Sequence, residues 1–293
     1  MKIFRRTISV ILAALLLGAQ TVYANMAAPD AADIGSAITF EKNDAVSVQS
    51  EVLNLTVHGS QAEISATYRM KNMTGQTVLI EPMFLSPNME YSGVKITVDG
   101  LDTPFDAKSY ALTYGTEIQT DGWKYAVLTD PQIAAGDQTP TVDTVSFAME
   151  FEPGEEYDVT VSYIYRLGGY PDYDFNVKRG EIFYYLAPAA MWNGFSDLTI
   201  NLTLDKDMPV IKSSSVPFQK TGTRTYQYRS DTLPDGNLEI VIDENWWQNL
   251  LSTLRSPYLP FTLLLFSPLL LIAAIILILV LWRIRKRRRK QPS

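Results

Sequence analysis

The sequence predicts an all-β ectodomain of one or two antiparallel β-sandwiches, a short juxtamembrane helix and a single C-terminal transmembrane helix. Three observations predict this fold class. Apolar and polar residues alternate through most of the chain, one long apolar run without charge lies near its end, and basic residues cluster directly after that run.

The alternation of apolar and polar residues has a period of two. In GSQAEISATYRMKN, for example, Ala62, Ile64 and Ala66 alternate with Glu63 and Ser65. The same rhythm recurs in VLNLTV, VKITVDG, VSFAMEF, YDVTVSYIY and DLTINLTL, with turn residues between the runs. Period-two alternation is typical of strands that bury one face and expose the other, so we expect antiparallel sheets.

The apolar run predicts a transmembrane helix over residues 257–282. No charged side chain occurs over residues 258–282, and residues 261–282 would form about 33 Å of helix, enough to cross a hydrocarbon core of about 30 Å. The tail over 283–293 holds the basic residues Arg283, Arg285, Lys286, Arg287, Arg288, Arg289 and Lys290. Such residues mark the cytoplasmic side of a membrane span, so we expect them to set topology and not to bind nucleic acid.

The N-terminus predicts export. Residues 1–24 have a basic start, an apolar run and small residues at the end, which is the pattern of a cleaved signal peptide. The exterior then carries 15 basic groups against 32 acidic ones, a net charge of about −17. It has no Cys, so core burial and not disulfides must hold it together. We place a β-sandwich domain over 25–168 and a second β-rich domain, or a continuation of the first, over 169–242.

A juxtamembrane amphipathic helix is predicted over 243–256, with Asp243 as its N-terminal cap. Trp246 and Trp247 lie at its start, and Trp282 ends the apolar run. Because indole rings favour the headgroup region of a bilayer, we assign these three residues to the membrane interface. A sugar- or partner-binding role for the Trp246–Trp247 pair is the alternative.

The search for catalytic chemistry is largely negative. His58 is the only histidine and lies in a predicted turn, and no nucleophile, nucleotide-binding or zinc-binding motif is present. We therefore assign no catalytic, metal or cofactor-binding residue. Paired carboxylates of a hydrolase remain open, because their spacing depends on the fold. The pairs Asp172–Asp174 and Asp205–Asp207 are interpreted as solvated turns.

Aromatic residues in predicted loops suggest a ligand surface. The segments YIYRLGGYPDYDF and EIFYYLAPAAMWNGF are rich in aromatic side chains. Those at alternating positions are expected in the core. The candidate ligand surface therefore consists of the loop residues Tyr170, Tyr173, Trp192 and Phe195.

Two segments resemble known families. EVLNLTVHGSQAEISATYRMKNMTGQTVLIEPMFLSPN resembles the opening of a VIT-type (vault and inter-alpha-trypsin) sandwich, and FEPGEEYDVTVSYIYRL resembles segments of exported bacterial proteins with β-rich ectodomains. The resemblance implies a sandwich fold. The D-x-S-x-S metal site that usually follows in the VIT family is lacking, so no functional residues carry over. LPFT, followed by an apolar run and a basic tail, resembles a sortase signal with Leu263 in place of its Gly.

These features predict a single-pass protein of the bacterial cell membrane, with its N-terminal domain outside and its tail in the cytoplasm. We expect a non-enzymatic binding or scaffolding protein whose partners are membrane lipid and an envelope component or protein. A wall-anchored, adhesin-like protein and a carboxylate-dependent envelope hydrolase are the alternatives.

Overall fold

The computed structural model describes residues 26–27, 37–40, 43–112, 125–129, 141–168, 179–186, 189, 191–234, 236–255 and 258–288. Within these ranges only the backbone is described at 26–27, 37–40, 111–112, 125–129, 253, 255, 262, 269–270, 273–274 and 284–288. The predicted signal peptide over 1–24 lies outside the described residues.

The described chain consists mainly of β-strands. The strands are β1 (Met26–Ala27), β2 (Ala37–Phe40), β3 (Val46–His58), β4 (Gln61–Asn72), β5 (Val78–Ile80), β6 (Met83–Ser86), β7 (Met89–Val98), β8 (Leu101–Asp102), β9 (Asp106–Leu112), β10 (Tyr125–Thr129), β11 (Thr141–Ser146), β12 (Met149–Phe151), β13 (Glu156–Arg166), β14 (Arg179–Tyr184), β15 (Leu198–Thr203), β16 (Val210–Ser214), β17 (Gln219–Lys220), β18 (Thr225–Ser230) and β19 (Leu238–Asp243). Two helices follow, α1 (Trp246–Arg255) and α2 (Leu259–Arg288). The predicted β-rich, largely antiparallel fold of the residues before α1 is confirmed.

One eight-stranded sheet forms the framework. Its strand order is β17-β18-β15-β3-β4-β13-β7-β8, and every pairing is antiparallel except that of β15 with β3, which is parallel. The other sheets are six-stranded (β1-β6-β11-β9-β10-β2), three-stranded (β14-β19-β16) and two-stranded (β12-β5). Because β15 and β18 follow the predicted domain boundary at residue 168 and β3 precedes it, this sheet continues across that boundary.

The apolar face of the eight-stranded sheet packs against the other sheets. The Phe84 ring of β6 makes edge contacts with the rings of Tyr163 on β13 and Tyr184 on β14, at centroid distances of 5.4 and 6.3 Å. The alternation in β4 and β13 is reproduced in their burial, since every second residue is buried. Two layers therefore enclose one core, as in a β-sandwich.

The segment VSFAMEF departs from the predicted single strand. Its first part ends β11 in the six-stranded sheet, and its last part forms β12 in the two-stranded sheet. Between them the Phe147 amide donates to the Pro82 carbonyl at 3.2 Å. The alternating apolar residues Val145, Phe147, Met149 and Phe151 are all buried. The period of two therefore continues although the chain changes sheet, and the periodicity alone does not predict that change.

The cap of α1 is Asn245 and not Asp243 as predicted. The Gln248 amide donates to Asn245 Oδ1, and the Asn245 amide donates to Gln248 Oε1, both at 3.0 Å, which is a reciprocal capping box. Asp243 ends β19 instead, where it is buried and pairs with Arg179 and Lys212. Because the Asp243 carboxylate pairs with Arg179 and Lys212 at the end of β19, the helix is capped by Asn245, two residues later.

Helix α2 contains 30 residues and has Pro268 inside it. Its described large apolar side chains, such as Leu264 and Ile278, are exposed. Counted over the described residues alone, no helix is long and apolar enough to cross a membrane. The transmembrane span over 257–282 therefore stays a prediction.

Candidate functional site

A row of polar side chains crosses the solvent-facing side of the eight-stranded sheet. The strand registers align one residue from each of seven neighbouring strands. We call the following set the polar row: Gln219, Gln227, Asn201, Asn54, Ser65, Ser162 and Lys95. Since side chains opposite one another on a sheet share a face, these groups form one continuous polar line.

Hydrogen bonds orient the amides and hydroxyls of the polar row. Asn201 Nδ2 donates to Asn54 Oδ1 at 2.9 Å, and Gln227 Nε2 donates to Asn201 Oδ1 at 2.7 Å. Ser162 Oγ donates to Ser65 Oγ at 3.0 Å. The Asn54 amide nitrogen is left free to donate to a ligand, because only its oxygen is used among the described residues.

A cleft opens at the middle of the polar row. Its volume is about 440 Å³, within the range of small-molecule sites. Its polar lining is Asn54, Thr56, Glu63, Ser65, Lys95 and Ser162, and the rest of the lining is Ile64, Gly93, Tyr163 and Ile164. We call this feature the sheet cleft.

A wide bulge in β7 forms the wall of the sheet cleft. Ser162 pairs with Lys95, whereas Ile164 pairs with Glu90, so residues 91–94 lie opposite one residue of β13. At the bulge a Cβ on Gly93 would lie 2.9 Å from Ile164 Cγ1, too close for any other residue without a shift. Glycine thus lets the bulged strand lie directly over Ile164.

Two carboxylates hold this bulge at its base. Asp143 accepts hydrogen bonds from the Met89 amide at 3.1 Å and from the Tyr91 hydroxyl at 3.2 Å. Glu90 accepts from Gln61 Nε2 at 3.1 Å and lies 3.5 Å from the Arg166 guanidinium. Burial, followed by the Asp143 carboxylate, raises the pKa of Tyr91, so the hydroxyl stays a donor. The wall is therefore fixed before any ligand arrives.

The charged groups of the sheet cleft differ in their pairing. Lys95 Nζ lies 2.9 Å from Asp102 Oδ1, and both side chains are exposed. Glu63 is exposed and forms no ion pair or hydrogen bond among the described residues. The cleft therefore offers one carboxylate acceptor and hydroxyl and amide groups, with its ammonium already neutralised.

A second cleft contains two carboxylates. It has a volume of about 230 Å³, and its lining includes Asn88, Tyr165, Glu181, Phe183 and Glu239. Glu239 pairs with Phe183, and Glu181 lies two residues along β14 on the same exposed face. Diagonal neighbours on a sheet lie about 7–8 Å apart. We call this feature the carboxylate cleft.

Helix α1 presents an exposed apolar surface. The Trp246 and Trp247 rings stack at 3.8 Å with an interplanar angle of 27°, and their exposed fractions are 66% and 59%. Leu250, Leu251 and Leu254 are also exposed. The predicted apolar side of the helix is thus largely exposed.

The other predicted site residues have different positions. Trp192 is 2% exposed, so it is a core residue and not part of a ligand surface; it lies in a segment that bridges to Asn43 beside β3. Phe195 is half-buried against the core. Tyr170 and Tyr173 lie outside the described residues, as do the side chains of Arg285, Lys286, Arg287, Arg288, Arg289 and Lys290. Trp282 and Arg283 are exposed.

Asp205 has a structural role. Its two oxygens accept hydrogen bonds from the amides of Asp207 at 2.9 Å and Gly59 at 3.1 Å, joining the β3–β4 turn to the segment after β15. Burial opposes ionisation, but these donors outweigh it and lower the pKa of Asp205.

In the described part of the chain, no three His, Asp or Glu side chains are grouped as metal ligands.

Glu51 is an unexpected buried carboxyl group. It is fully buried on the inner face of β3 and accepts a hydrogen bond from the Tyr184 hydroxyl at 2.7 Å. Burial raises its pKa to about 7, against the opposing effect of the Tyr184 and Tyr68 hydroxyls. Glu51 has the same parity along β3 as Leu55 and Val57, which is a sequence signal for its burial. Enclosed in the core, it can affect stability but cannot contact a ligand.

Comparisons with known proteins give no family. No family model matches the chain, and no curated protein matches it. Solved structures match at low similarity. A protein described as a candidate nutrient binding protein from Legionella pneumophila is 11% identical with a TM-score of 0.46, and the match covers 74% of this chain and 72% of that one.

Two larger proteins match over a smaller share of their length. The M1 zinc metallopeptidase from Deinococcus radiodurans is 14% identical with a TM-score of 0.34, and the match covers 69% of this chain and 43% of that one. Yeast LTA4 hydrolase in complex with bestatin is 11% identical with a TM-score of 0.33, covering 68% and 28%. All three scores are too low to carry an argument about function, and none tests the resemblance to VIT-type sandwiches.

Proposed function

We propose that this chain is a membrane-anchored extracytoplasmic binding protein of the bacterial envelope. Its β-sandwich presents a ligand-binding face, and α1 and α2 attach it to the bilayer. The observation that carries the proposal is the exposed apolar surface of α1, which directly precedes the apolar sequence of α2 and the basic tail. The arrangement is that expected of a juxtamembrane helix and a stop-transfer anchor.

Energetics support an apolar partner for both helices. Large apolar side chains such as Trp246, Leu250 and Leu264 are about half exposed or more, and each gains about 1.5–3 kcal/mol when it is fully removed from water. A bilayer supplies that environment over residues 259–282 of α2, while the charged residues from Arg283 onwards stay outside it. The indoles of α1 suit the headgroup boundary.

Topology can be tested with the full chain in its membrane. Protease added to intact protoplasts should remove the acidic exterior and leave only a small fragment containing α2 and the tail. Antibody against the tail should detect that fragment. Protection of the exterior, or extraction of the whole chain by alkaline carbonate, would contradict the proposal. Covalent wall fragments after muralytic digestion would instead favour a sortase-linked protein.

One observation favours the hydrolase alternative. Glu181 and Glu239 line the carboxylate cleft from neighbouring strands, and two carboxyl groups that flank a cleft are what glycosidases use. Hydrolysis of an envelope glycan by the wild type, abolished in Glu181→Gln and in Glu239→Gln, would establish this alternative. If the wild type and both variants all leave the glycan intact, the hydrolase alternative is ruled out.

A further inference from the structure

We propose that the sheet cleft binds a neutral polyhydroxylated ligand, namely a short stretch of an uncharged sugar chain. The inference rests on the proposed binding function and gives that function a site and a ligand class. It is carried by the chemistry of the lining, the size of the cleft and the way its wall is held.

The lining matches the hydrogen-bonding character of sugar hydroxyls. Each such hydroxyl both donates and accepts, so a site for several of them needs donors and acceptors side by side. The sheet cleft provides the Asn54 amide nitrogen as donor, Glu63 as acceptor, and Thr56 and Ser65 hydroxyls that do either. A carboxylate accepts from two adjacent hydroxyls at once, which suits the vicinal hydroxyls of a sugar ring.

Other ligand classes fit less well. The exterior carries a net charge of about −17, and Glu63 lies in the lining, so anionic ligands such as phosphates are repelled. The one ammonium of the lining, Lys95, is paired with Asp102. Ile164 and the other apolar atoms of the lining suit the C–H face of a sugar ring, whereas the charged and amide groups beside them disfavour a lipid chain.

The polar groups of the sheet cleft are held in place before a ligand binds, which favours a binding site over a polar face that only contacts water. Hydrogen bonds to Asn201 and Ser162 hold Asn54 and Ser65 in place, and Asp143 holds the wall. Less side-chain freedom is then lost when a ligand binds, so more of the contact energy appears as affinity. The cleft volume of about 440 Å³ has room for one or two sugar rings.

The experiment measures binding of maltotetraose and of chitotetraose to the full chain in nanodiscs by isothermal titration calorimetry. The wild type should bind at least one of these neutral probes. Glu63→Gln should weaken that binding about tenfold or more, since a hydrogen bond to a charged group is lost. Ser65→Phe should abolish it, because the ring fills the floor of the cleft.

Matched controls lie on the same face outside the cleft. Asp158→Asn removes one exposed carboxylate from β13, and Thr199→Phe adds a ring on β15; both should bind as the wild type does. Near-ultraviolet circular dichroism identifies any variant that fails to fold, and Glu63→Gln changes no volume in the core.

Three results would overturn the inference that the sheet cleft binds sugar. If the wild type binds neither probe up to millimolar concentration, or if Ser65→Phe binds as well as the wild type, the inference is overturned. It is also overturned if the two controls weaken binding as much as the cleft variants. A chain that stays in membranes yet binds no sugar would overturn this inference alone, whereas sugar binding by a chain that leaves the membrane would overturn the anchorage alone.

Discussion

The Tyr184 hydroxyl on β14 donates a 2.7 Å hydrogen bond to Glu51 Oε1 on β3, inside the core between two sheets. The Tyr184 oxygen also lies 2.9 Å from the Tyr68 hydroxyl. The second carboxyl oxygen, Oε2, has no hydrogen-bond partner among the described residues. A buried carboxylate satisfied on one oxygen is costly when ionised, so the core favours protonated Glu51.

Stability should therefore fall as pH rises towards neutrality. The pKa of Glu51 is raised from 4.5 to about 7 in the folded chain, so the folded state holds this proton more tightly than the unfolded state does. The contribution is fully present below about pH 4.5, declines between about pH 4.5 and 7, and is lost above that range. The difference amounts to about 3 kcal/mol. Urea unfolding of the full chain in detergent from pH 4 to 8 measures it.

Glu51→Gln isolates that contribution. An amide cannot ionise, so the variant should lose the decline between about pH 4.5 and 7 and should exceed the wild type in stability at pH 8. Glu63→Gln, at an exposed position of β4, is the control and should keep the wild-type pH profile. The same decline in Glu51→Gln would assign the pH dependence to other groups.

Removing the hydroxyl of Tyr184 should destabilise the core. Tyr184→Phe takes a donor from Glu51 and a partner from Tyr68, and both remain buried, so we expect a loss of about 1–3 kcal/mol in the free energy of unfolding. Tyr185→Phe is the control, since Tyr185 is buried nearby and no hydrogen bond of its hydroxyl occurs among the described residues. Burial raises the pKa of Tyr185 to about 12, so it stays neutral. Equal losses in both variants would show that the Glu51 contact adds nothing.

The sequence predicts best those strands that bury one face. The residues at alternating positions of β4, β13 and β15 are buried as the period of two requires. The same rule applied to β3 places the charged Glu51 on the inner face with Leu53. The local sequence pattern therefore predicts which face of a single strand is buried.

The sheet cleft could not be predicted in this way. Asn54, Ser65 and Ser162 are ordinary solvent-side residues in sequence, far apart along the chain. They meet only because β3, β4 and β13 pair in one register and because β7 bulges opposite Tyr163. Register depends on long-range pairing and not on local periodicity. The prediction that Trp192 belongs to a ligand surface was wrong for a similar reason, since its burial depends on how its loop packs beside β3.

Loss of Asp143 should loosen the wall of the sheet cleft. Asp143→Ala removes the acceptor for the Met89 amide and the Tyr91 hydroxyl, so amide hydrogen exchange over residues 89–94 should become faster. Exchange in β3 and β4 should not change, because local opening leaves the rest of the sheet paired. Asp102→Ala removes the exposed ion pair with Lys95, worth about 0–1 kcal/mol, and should leave exchange at 89–94 unaffected. Equal acceleration in both variants would show that Asp143 does not hold the bulge.

Replacing Trp246 and Trp247 with Ala should change contact with lipid but not membrane attachment. The two rings are mostly exposed and stacked on each other, so the sandwich core should melt as in the wild type. If they sit among the headgroups, the substitution removes at most about 1.5–3 kcal/mol of apolar burial per ring, which is small beside that of the apolar residues of α2.

The readout is quenching of Trp emission by lipid brominated near the headgroups, measured in a Trp123→Phe, Trp282→Phe background so that only Trp192, Trp246 and Trp247 emit. The parent should be quenched, and the Trp246→Ala, Trp247→Ala variant should lose that component while buried Trp192 continues to emit. Equal quenching in both proteins would place the indole pair away from lipid. In that case the stacked rings would be better explained as a binding surface for a partner, because an exposed aromatic pair without lipid contact has no other apolar environment.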